Sequence, residues 1–490
     1  YGCINDLRSE DMAVRYFRDQ VIRLHNHPSV ICWLTGSDRI PNPRLEERYM
    51  EIYSKYEYRP YVCSAKNISS KFGGPSGTKM EGPYEYVGPD YWYLDTRDGG
   101  AFGFNTETGV GMNIPQIESV RKMIPEPVWP LSADWDYHCT ASSSAMNSTR
   151  VATEAINGIY GEASTLEDYV ARAHALDYDA TKAMFESFRC NMPASTGIIQ
   201  WMLNSAWPSM YWQLYDYYKV PTAGYYGVRK ACTPVQAVYN YKDSHVYVVN
   251  ETPEDKNVRL RVTVYDSSSS PVSDDTLKVF IRSNSSVRTA DVTVPEGGCF
   301  LATQILDRGG AVVADNFYCL PSKKNVYDWK HHNWYRTPIS EYEDLGFVTR
   351  LPKCDVKMTV GRMGRKVIVT LKNESDVISY QNILKFTNPD GSLVTPVYWS
   401  DNFVSLLPGQ TRILECLTPE GCSGEVKVQT WNSPVPLDQT ANQDTRDRSR
   451  FAHYSFRDDD RYKVEDPYRT VSVNQVKGKK VKNVIFMIGD

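Results

Sequence analysis

The pattern of apolar and polar residues at the start of the chain predicts a helix followed by a buried strand. Apolar residues recur at helical spacing at positions 14, 17, 21 and 24. The apolar run Val30–Gly36 comes next and is typical of a strand inside a parallel sheet. Further strands are predicted at residues 59–65, 84–88, 101–105 and 197–203.

A long helix is predicted at about residues 166–188, where apolar residues again have a helical period. Ser164 and Glu167 stand three positions apart before it and predict a capping box at its start. Buried strands that alternate with helices indicate an α/β architecture with a parallel sheet over residues 1–232.

After about Thr233 the pattern changes to short β-type runs separated by Ser, Asp, Pro and Gly clusters. The runs lie at residues 246–249, 258–265, 276–282, 356–359, 366–372, 383–387 and 425–430. Without helices between them, they predict two β-sandwich domains. We expect these domains at residues 233–330 and 353–435, with an aromatic connector at 331–352 and a polar linker at 436–470.

The composition is ordinary for a globular protein of several domains: 41% of the 490 residues are hydrophobic and 23% are charged. The net charge of −4 argues against a nucleic-acid-binding protein, which would carry a basic surface. No run of 18 apolar residues occurs, so no membrane span is predicted. The 34 Tyr and 11 Trp fit a carbohydrate protein, and they fit an aromatic-rich core equally well.

The eleven cysteines are scattered, with no Cys-x-x-Cys pair and no Cys/His pairing at metal-ligand spacing. We therefore expect buried free thiols rather than a disulfide framework, and neither a metal nor another cofactor. His25 and His27, two positions apart before Pro28, are expected to fix a turn.

Two acidic residues come just after predicted strands. Asp38 comes after the run that ends at Gly36, and Glu107 comes after the strand at residues 101–105. In a (β/α)8 barrel, catalytic groups gather at these carboxyl ends of strands. Glycoside hydrolysis requires two facing carboxyl groups. A helix cap or a solvated turn would also explain an acid at either position.

Five separated segments resemble glycoside hydrolase family 2, and most closely its exo-β-D-glucosaminidase branch. The first segment, HNHPSVICWLTGSD, ends at Asp38 and is similar to the signature of the family's acid/base strand. That signature usually ends in Asn-Glu, and the Ser-Asp form found here is similar to this branch. The other segments are Gly74–Tyr84 with Pro89–Tyr93, Phe102–Glu107, Gly197–Ser209 and Tyr398–Gly409.

The resemblance implies strands four to eight of an incomplete (β/α)8 TIM barrel, followed by two immunoglobulin-like β-sandwiches. It also implies a retaining enzyme with Asp38 as acid/base and Glu107 as nucleophile. The implied reaction removes non-reducing-end β-linked glucosamine from chitosan-type oligosaccharides, in a secreted or periplasmic location. A β-mannosidase of exo or glycoprotein endo type, or a catalytically incomplete carbohydrate-binding fragment, are the alternatives. The isolated chain is expected to be inactive.

Aromatic and amide side chains in the matching segments are candidates for substrate contact. These residues are Tyr91, Trp92, Trp201, Asn204 and Trp207. We expect ring stacking on the sugar and a hydrogen bond to a sugar hydroxyl. Packing inside the barrel explains Trp201 equally well and explains Trp212 better.

The last ten residues, at 481–490, form an apolar strand that ends in Gly-Asp. This strand resembles the opening strand of alkaline phosphatases, in which the Asp binds a metal. Residues 471–490 are therefore a possible start of such a domain, with no metal predicted in this chain. A chance hydrophobic strand is the alternative.

Overall fold

The computed structural model describes residues 7–139 and 148–433. The described residues fall into two compact units. One contains residues 7–80 and 103–107, and the other contains residues 81–102, 108–139 and 148–433. The expected linker at 436–470 and the phosphatase-like segment at 471–490 lie outside the described residues.

The N-terminal half contains all eight α-helices of the described residues and six short strands. In chain order they are α1 (Leu7–Leu24), β1 (Trp33–Leu34), α2 (Pro43–Tyr56), β2 (Tyr61–Val62), β3 (Ser69–Ser70), β4 (Gly74–Pro75), α3 (Tyr91–Leu94), β5 (Gly103–Thr108), α4 (Ile117–Met123), α5 (Ala133–Tyr137), α6 (Ser148–Tyr160), α7 (Leu166–Cys190), β6 (Ser195–Gln200) and α8 (Ala223–Ala231).

The C-terminal half is made of strands with one 3-10 helix, Gly346–Arg350. The strands are β7 (Val235–Asn240), β8 (His245–Asn250), β9 (Lys256–Asp266), β10 (Pro271–Ile281), β11 (Ser285–Asp291), β12 (Cys299–Leu306), β13 (Val312–Leu320), β14 (Val326–Tyr327), β15 (Ile339–Glu341), β16 (Val356–Met363), β17 (Lys366–Asn373), β18 (Ser379–Thr387), β19 (Tyr398–Trp399), β20 (Val404–Leu406), β21 (Thr411–Leu417) and β22 (Glu425–Thr430).

In the first unit, two helices pack against a two-stranded parallel sheet. The side chain of Asn42 accepts a hydrogen bond from the Leu45 N–H, and Pro43 occupies the first turn, so α2 begins there. Strands β1 and β2 are parallel, with Trp33 opposite Tyr61. The core of this unit packs aromatic and aliphatic residues from both helices and β1: Phe17, Val21, Trp33, Leu45, Tyr49 and Tyr53.

The prediction of a strand at residues 84–88 is wrong. These residues form no strand, and Lys79 instead makes the parallel bridge to Asn105 of β5. The five residues at 84–88 are all buried, which gives a loop the apolar character of a strand. The backbone N–H of Tyr84 donates to the Tyr335 oxygen at 2.9 Å, so its partner lies in the connector.

The long helix α7 begins at Leu166, as predicted, but its N-cap lies one residue after the predicted Ser164. Thr165 is the N-cap residue, and its hydroxyl accepts from the Asp168 N–H at 3.2 Å. The Asp168 carboxylate accepts in return from the Ser164 N–H at 3.3 Å. Thr165 and Asp168 thus both bond to the backbone at the start of α7, but the return bond comes from Ser164, the residue before the N-cap, and not from the N-cap N–H of a capping box.

The strands after residue 233 form two sandwiches, as expected. The first pairs a sheet of order β10-β9-β12-β13 with one of order β11-β8-β7. The second pairs β16-β17-β21-β19 with β20-β18-β22. The predicted runs all fall within strands, except for one residue at 282.

Within the second unit, the first sandwich shares one hydrophobic core with α6 and α7. The ten cysteines of the described residues are free thiols, and seven of them are buried. Among the described helices, none is long and apolar enough to cross a membrane.

Candidate active site

Asp38 lies on a bend four residues after the end of β1, and its side chain is exposed. The backbone before it is tightly packed, because a Cβ at Gly36 would lie 2.7 Å from the Cys63 oxygen. The Ser64 hydroxyl donates to the Ser37 oxygen at 2.7 Å. Glycine is thus required at position 36, and the position of the Asp38 backbone is fixed from the neighbouring strand.

Glu107 is the fifth residue of β5 and is half-buried. Its backbone N–H donates to the Asn105 side-chain oxygen at 3.3 Å. The hydroxyl of Thr106 donates to the Ala65 oxygen at 2.9 Å and contacts the Lys79 oxygen at 3.1 Å. The strand that carries Glu107 is therefore anchored to the backbone at residues 65 and 79.

Ala65 connects the two acidic positions. Its N–H donates to the Gly36 oxygen at 2.8 Å, and its own oxygen accepts from Thr106 at 2.9 Å. Strands β1 and β2 are parallel, and Lys79 makes a separate parallel bridge to Asn105 of β5. Gly36, two residues before Asp38, and Thr106, the residue before Glu107, thus both contact Ala65 within one compact unit. Two carboxyl groups that lie close together can act as a proton donor and a nucleophile.

Trp207 and Asn204 lie in the loop after β6. The Trp207 ring stacks on His138 with centroids 5.3 Å apart and an interplanar angle of 27°. Burial lowers the pKa of His138, whose Nδ1 lies 2.7 Å from the Pro208 oxygen, so the ring is neutral at pH 7. One face of Trp207 therefore contacts His138, and Asn204 is exposed.

Trp201 comes directly after β6 and is half-buried. Its N–H donates to the Thr108 oxygen at 2.9 Å, which fixes its backbone beside the residue that comes after Glu107 in the chain. A half-buried Trp201 ring can pack against the protein with one face and contact a ligand with the other.

Tyr91 and Trp92 belong to the core, which corrects the expectation of substrate contact for this pair. Tyr91 is 1% exposed and Trp92 is 0% exposed. Their rings pack edge to face on each other, and Tyr91 also stacks on Trp329. A ring without exposed surface offers no face to a sugar, so both residues stabilise the fold.

The two early histidines hold a turn, as expected. The His27 N–H donates to the Leu24 oxygen at 2.9 Å, at the end of α1. The Arg59 guanidinium donates to the His25 oxygen at 2.7 Å and to the His27 oxygen at 3.2 Å. These contacts tie the end of α1 to the segment that enters β2.

Two aromatic residues that the sequence left unassigned, Tyr84 and Trp334, lie together with Trp212, which was expected to pack, in the second unit. The three rings contact one another in a row. The abundance of aromatic residues in the connector was the available signal for Trp334.

Two family profiles match the C-terminal half of the chain. The profile described as "Exo-beta-D-glucosaminidase Ig-fold domain" matches residues 334–433. The profile described as "Mannosidase Ig/CBM-like domain" matches residues 242–325. The first match begins inside the predicted connector.

The curated relatives include exo-beta-D-glucosaminidases from a fungus and a bacterium. The chain is 32% identical over 425 residues to that of Arthroderma benhamiae, which covers 84% of this chain and 48% of that protein. It is 33% identical over 442 residues to that of Streptomyces avermitilis, covering 84% and 49%. A mannosylglycoprotein endo-beta-mannosidase of Lilium longiflorum is 23% identical, covering 85% and 53%. The chain spans about half the length of these curated relatives.

Solved structures with the same fold include the exo-chitosanase CsxA of Amycolatopsis orientalis. It is 29% identical, with a TM-score of 0.81 over 88% of this chain and 54% of that chain. Variants of that protein in which an Asp or a Glu is replaced by Ala are known in complex with PNP-beta-D-glucosamine. The predicted fold class is confirmed: a partial (β/α)8 barrel followed by two immunoglobulin-like sandwiches.

Proposed function

We propose, because the chain is a relative of the exo-β-D-glucosaminidases of glycoside hydrolase family 2, that it carries the catalytic pair of a retaining glycosidase. The proposed reaction removes β-linked glucosamine from the non-reducing end of chitosan-type oligosaccharides. The observation that supports it most is the link through Ala65, which contacts both Gly36, two residues before Asp38, and Thr106, the residue before Glu107.

The proposed mechanism has two displacement steps. In the first, the Glu107 carboxylate attacks the anomeric carbon while the Asp38 carboxyl group protonates the departing glycosidic oxygen. In the second, the Asp38 carboxylate removes a proton from water, and the water oxygen displaces Glu107. Two inversions at the anomeric carbon retain its configuration.

The position of its backbone, rather than the length of its side chain, suits Asp38 to proton transfer. Its side chain is one methylene shorter than the usual Glu, so the backbone must bring the carboxyl group to the glycosidic oxygen. The contact from Ser64 to the Ser37 oxygen and the lack of space at Gly36 support such a fixed backbone. Its exposure also lets the proton exchange with water between cycles.

Trp207, Trp201 and Asn204 are the proposed sugar contacts. The two half-buried indole rings present apolar faces, and the exposed amide can hydrogen-bond to a hydroxyl group. We also propose a secreted or periplasmic location, since a chitosan-type polymer is too large to enter a cell. Comparing the glycosidase activity of the culture medium with that of the cell extract tests this location.

A β-mannosidase is the second candidate. It is favoured by the match of residues 242–325 to the "Mannosidase Ig/CBM-like domain" and by the endo-beta-mannosidase relative. The lower identity of that relative, 23% against 32% for a glucosaminidase, places it second. The Asp at position 38 also argues against a mannosidase, because the mannosidase branches normally have Glu at the acid/base position.

Hydrolysis of p-nitrophenyl β-D-glucosaminide and of the corresponding mannoside by the full-length protein tests the proposal. We expect the glucosaminide to be preferred by about a hundredfold or more in kcat/KM, which corresponds to about 2.7 kcal/mol. Glu107→Gln serves as the inactive control. The opposite preference would identify a mannosidase, and hydrolysis of neither glycoside would identify a binding protein without turnover.

A further inference from the structure

A buried carboxylate on α2 joins separate segments of the first unit. Glu46 is 1% exposed. Its Oε1 accepts from the Ser70 hydroxyl at 2.5 Å and from the Tyr61 hydroxyl at 3.3 Å, and its Oε2 accepts from the Phe72 N–H at 3.4 Å. A carboxylate is costly to bury unless donors of this kind surround it, so Glu46 holds α2, β2 and the turn between β3 and β4 together.

Tyr61 extends this link to the residue that comes directly after β1. Its hydroxyl accepts from the Thr35 hydroxyl at 2.9 Å while it donates to Glu46. Burial raises the pKa of Tyr61, so the phenol keeps its proton and fills both roles at once. The Tyr53 ring lies edge to face at 5.5 Å, and a Cβ at Gly73 would lie 2.8 Å from the Tyr61 ring. The ring therefore has little room to move, and its hydroxyl has a fixed position.

Thr35 opens the short segment that ends at Asp38. Its N–H donates to the Val62 oxygen at 3.0 Å, so its backbone is tied to β2. The oxygens of the next two residues accept hydrogen bonds of 2.8 and 2.7 Å from the chain that comes after β2. Each residue before Asp38 is thus fixed by a hydrogen bond, and the side chain of Thr35 connects the segment to α2.

We propose that Glu46 is a positioning residue for proton transfer by Asp38. Through Tyr61 and Thr35 it fixes the backbone from which the Asp38 carboxyl group reaches the glycosidic oxygen. This inference rests on the proposed function and adds a positioning residue to it. Asp38 has a short side chain that cannot make up for a displaced backbone. A displacement of about 1 Å at a catalytic group costs roughly a hundredfold in rate.

The full-length protein tests this role with two substrates that differ in their need for a proton. Methyl β-D-glucosaminide has a poor leaving group that must be protonated, whereas 2,4-dinitrophenyl β-D-glucosaminide releases a stable phenolate without a proton. We expect Glu46→Gln to lower kcat/KM for the methyl glycoside by about tenfold to a hundredfold. For the dinitrophenyl glycoside, kcat/KM should change less than about twofold, because it reports the first displacement step alone. A smaller folded fraction would lower both values equally.

Tyr61→Phe is the second variant, because it removes the hydroxyl and keeps the ring. It should show the same loss on the methyl glycoside and the same small change on the dinitrophenyl glycoside. The double variant Glu46→Gln/Tyr61→Phe should lose no more than the larger single loss, since both substitutions interrupt one chain of hydrogen bonds.

Glu47→Gln is the matched control, because Glu47 is the neighbouring carboxylate on α2 and is exposed. It should change neither value. An equal loss on both substrates, or full activity of Glu46→Gln or Tyr61→Phe on the methyl glycoside, would overturn the positioning role and leave the proposed function standing. If Glu46→Gln does not fold, Tyr61→Phe decides by the same criteria. Wild-type protein that cleaves neither substrate would overturn the proposed function and the positioning role with it.

Discussion

At the scale of single residues, Asp38 and Glu107 differ in how the fold holds them. Glu107 is half-buried on a strand, whereas Asp38 is exposed on a bend. A strand position suits a nucleophile that must stay at a fixed distance from the anomeric carbon. A bend position suits a proton donor that exchanges with water. Retaining enzymes hold the two carboxyl groups about 5–5.5 Å apart, so we expect that separation here.

Azide rescue separates the two roles. Glu107→Ala should abolish turnover, and azide that enters the empty space should give the α-glycosyl azide by a single inversion. Asp38→Ala should lose about 10²–10⁴-fold in rate, since a general acid contributes that much. Its azide product should keep the β configuration, because azide replaces water in the second step. NMR of the products measures the anomeric configuration.

The exposed Glu296, in the turn before β12, provides a control. Glu296→Ala should retain full activity and should yield no azide product. The same anomeric configuration from the Glu107 and Asp38 variants would contradict the division of roles.

The candidate site was predictable from the sequence where a short segment contains both the strand and its acid. Asp38 and Glu107 are proposed on this basis. Tyr91 and Trp92 were misassigned, because an aromatic residue in a matching segment can point into the core or towards the substrate. The sequence pattern does not distinguish these two orientations. The ring contact between Trp334 and Tyr84 was not predictable, because the two residues lie 250 positions apart in the chain.

At the scale of elements, a ring of four charges joins one helix to both sandwiches. Lys230 at the end of α8 contacts Asp315 of β13 at 3.0 Å and Asp401 at 2.9 Å. Arg412 of β21 contacts the same two carboxylates at 2.6 Å each. Each charge thus faces two of opposite sign, so the ring is neutral although it is largely buried.

Arg412→Met should destabilise the second unit by about 3–5 kcal/mol, because it leaves two carboxylates facing a single Lys230. Urea unfolding followed by circular dichroism measures the free energy of unfolding. Lys366→Met is the control, since the Lys366–Glu415 pair lies exposed on a neighbouring strand. The control should cost about 1 kcal/mol or less. Equal effects of the two substitutions would contradict a structural role for the ring.

The ring also predicts a pH dependence. Burial opposes ionisation of Asp315, but the charges of Lys230 and Arg412 outweigh it and lower the pKa of this carboxyl group. A lowered folded-state pKa adds stability that is complete above the unfolded-state pKa of about 4. This stability is lost as the pH falls below that value towards the folded-state pKa. In Arg412→Met the loss of stability in acid should therefore be smaller than in the wild type.

The sandwich strands were predictable because one face of each packs on a core and the other is exposed. In β17, for example, Val367, Val369 and Leu371 are buried, with less buried residues between them. The strands of the first unit were harder to delimit. Strands β1 and β2 each have two residues, and their apolar runs contain no alternation that marks an end.

At the scale of the whole molecule, the chain does not divide at residue 233 as its sequence pattern suggests. The Lys182 ammonium of α7 donates to the Phe317 oxygen of β13 at 2.6 Å. Glu186, whose pKa is raised by burial, accepts from the Asn316 side chain at 2.5 Å and from the Tyr318 hydroxyl at 3.0 Å. The helix and the first sandwich are therefore one packing unit.

Limited proteolysis should reflect this shared packing. If only the β-patterned half resisted the protease, the resistant fragment would start near residue 233. The structure instead predicts a resistant fragment that includes α7. Trypsin cuts only after Lys and Arg in locally open chain, and Lys182 and Arg189 of α7 are both buried. Mass spectrometry of the fragments identifies their first residues. Glu186→Ala leaves Asn316 and Tyr318 without their acceptor, and should expose α7 to cleavage. A wild-type fragment that begins near residue 233 would contradict this prediction, because it would show that the sandwiches stay folded without α7.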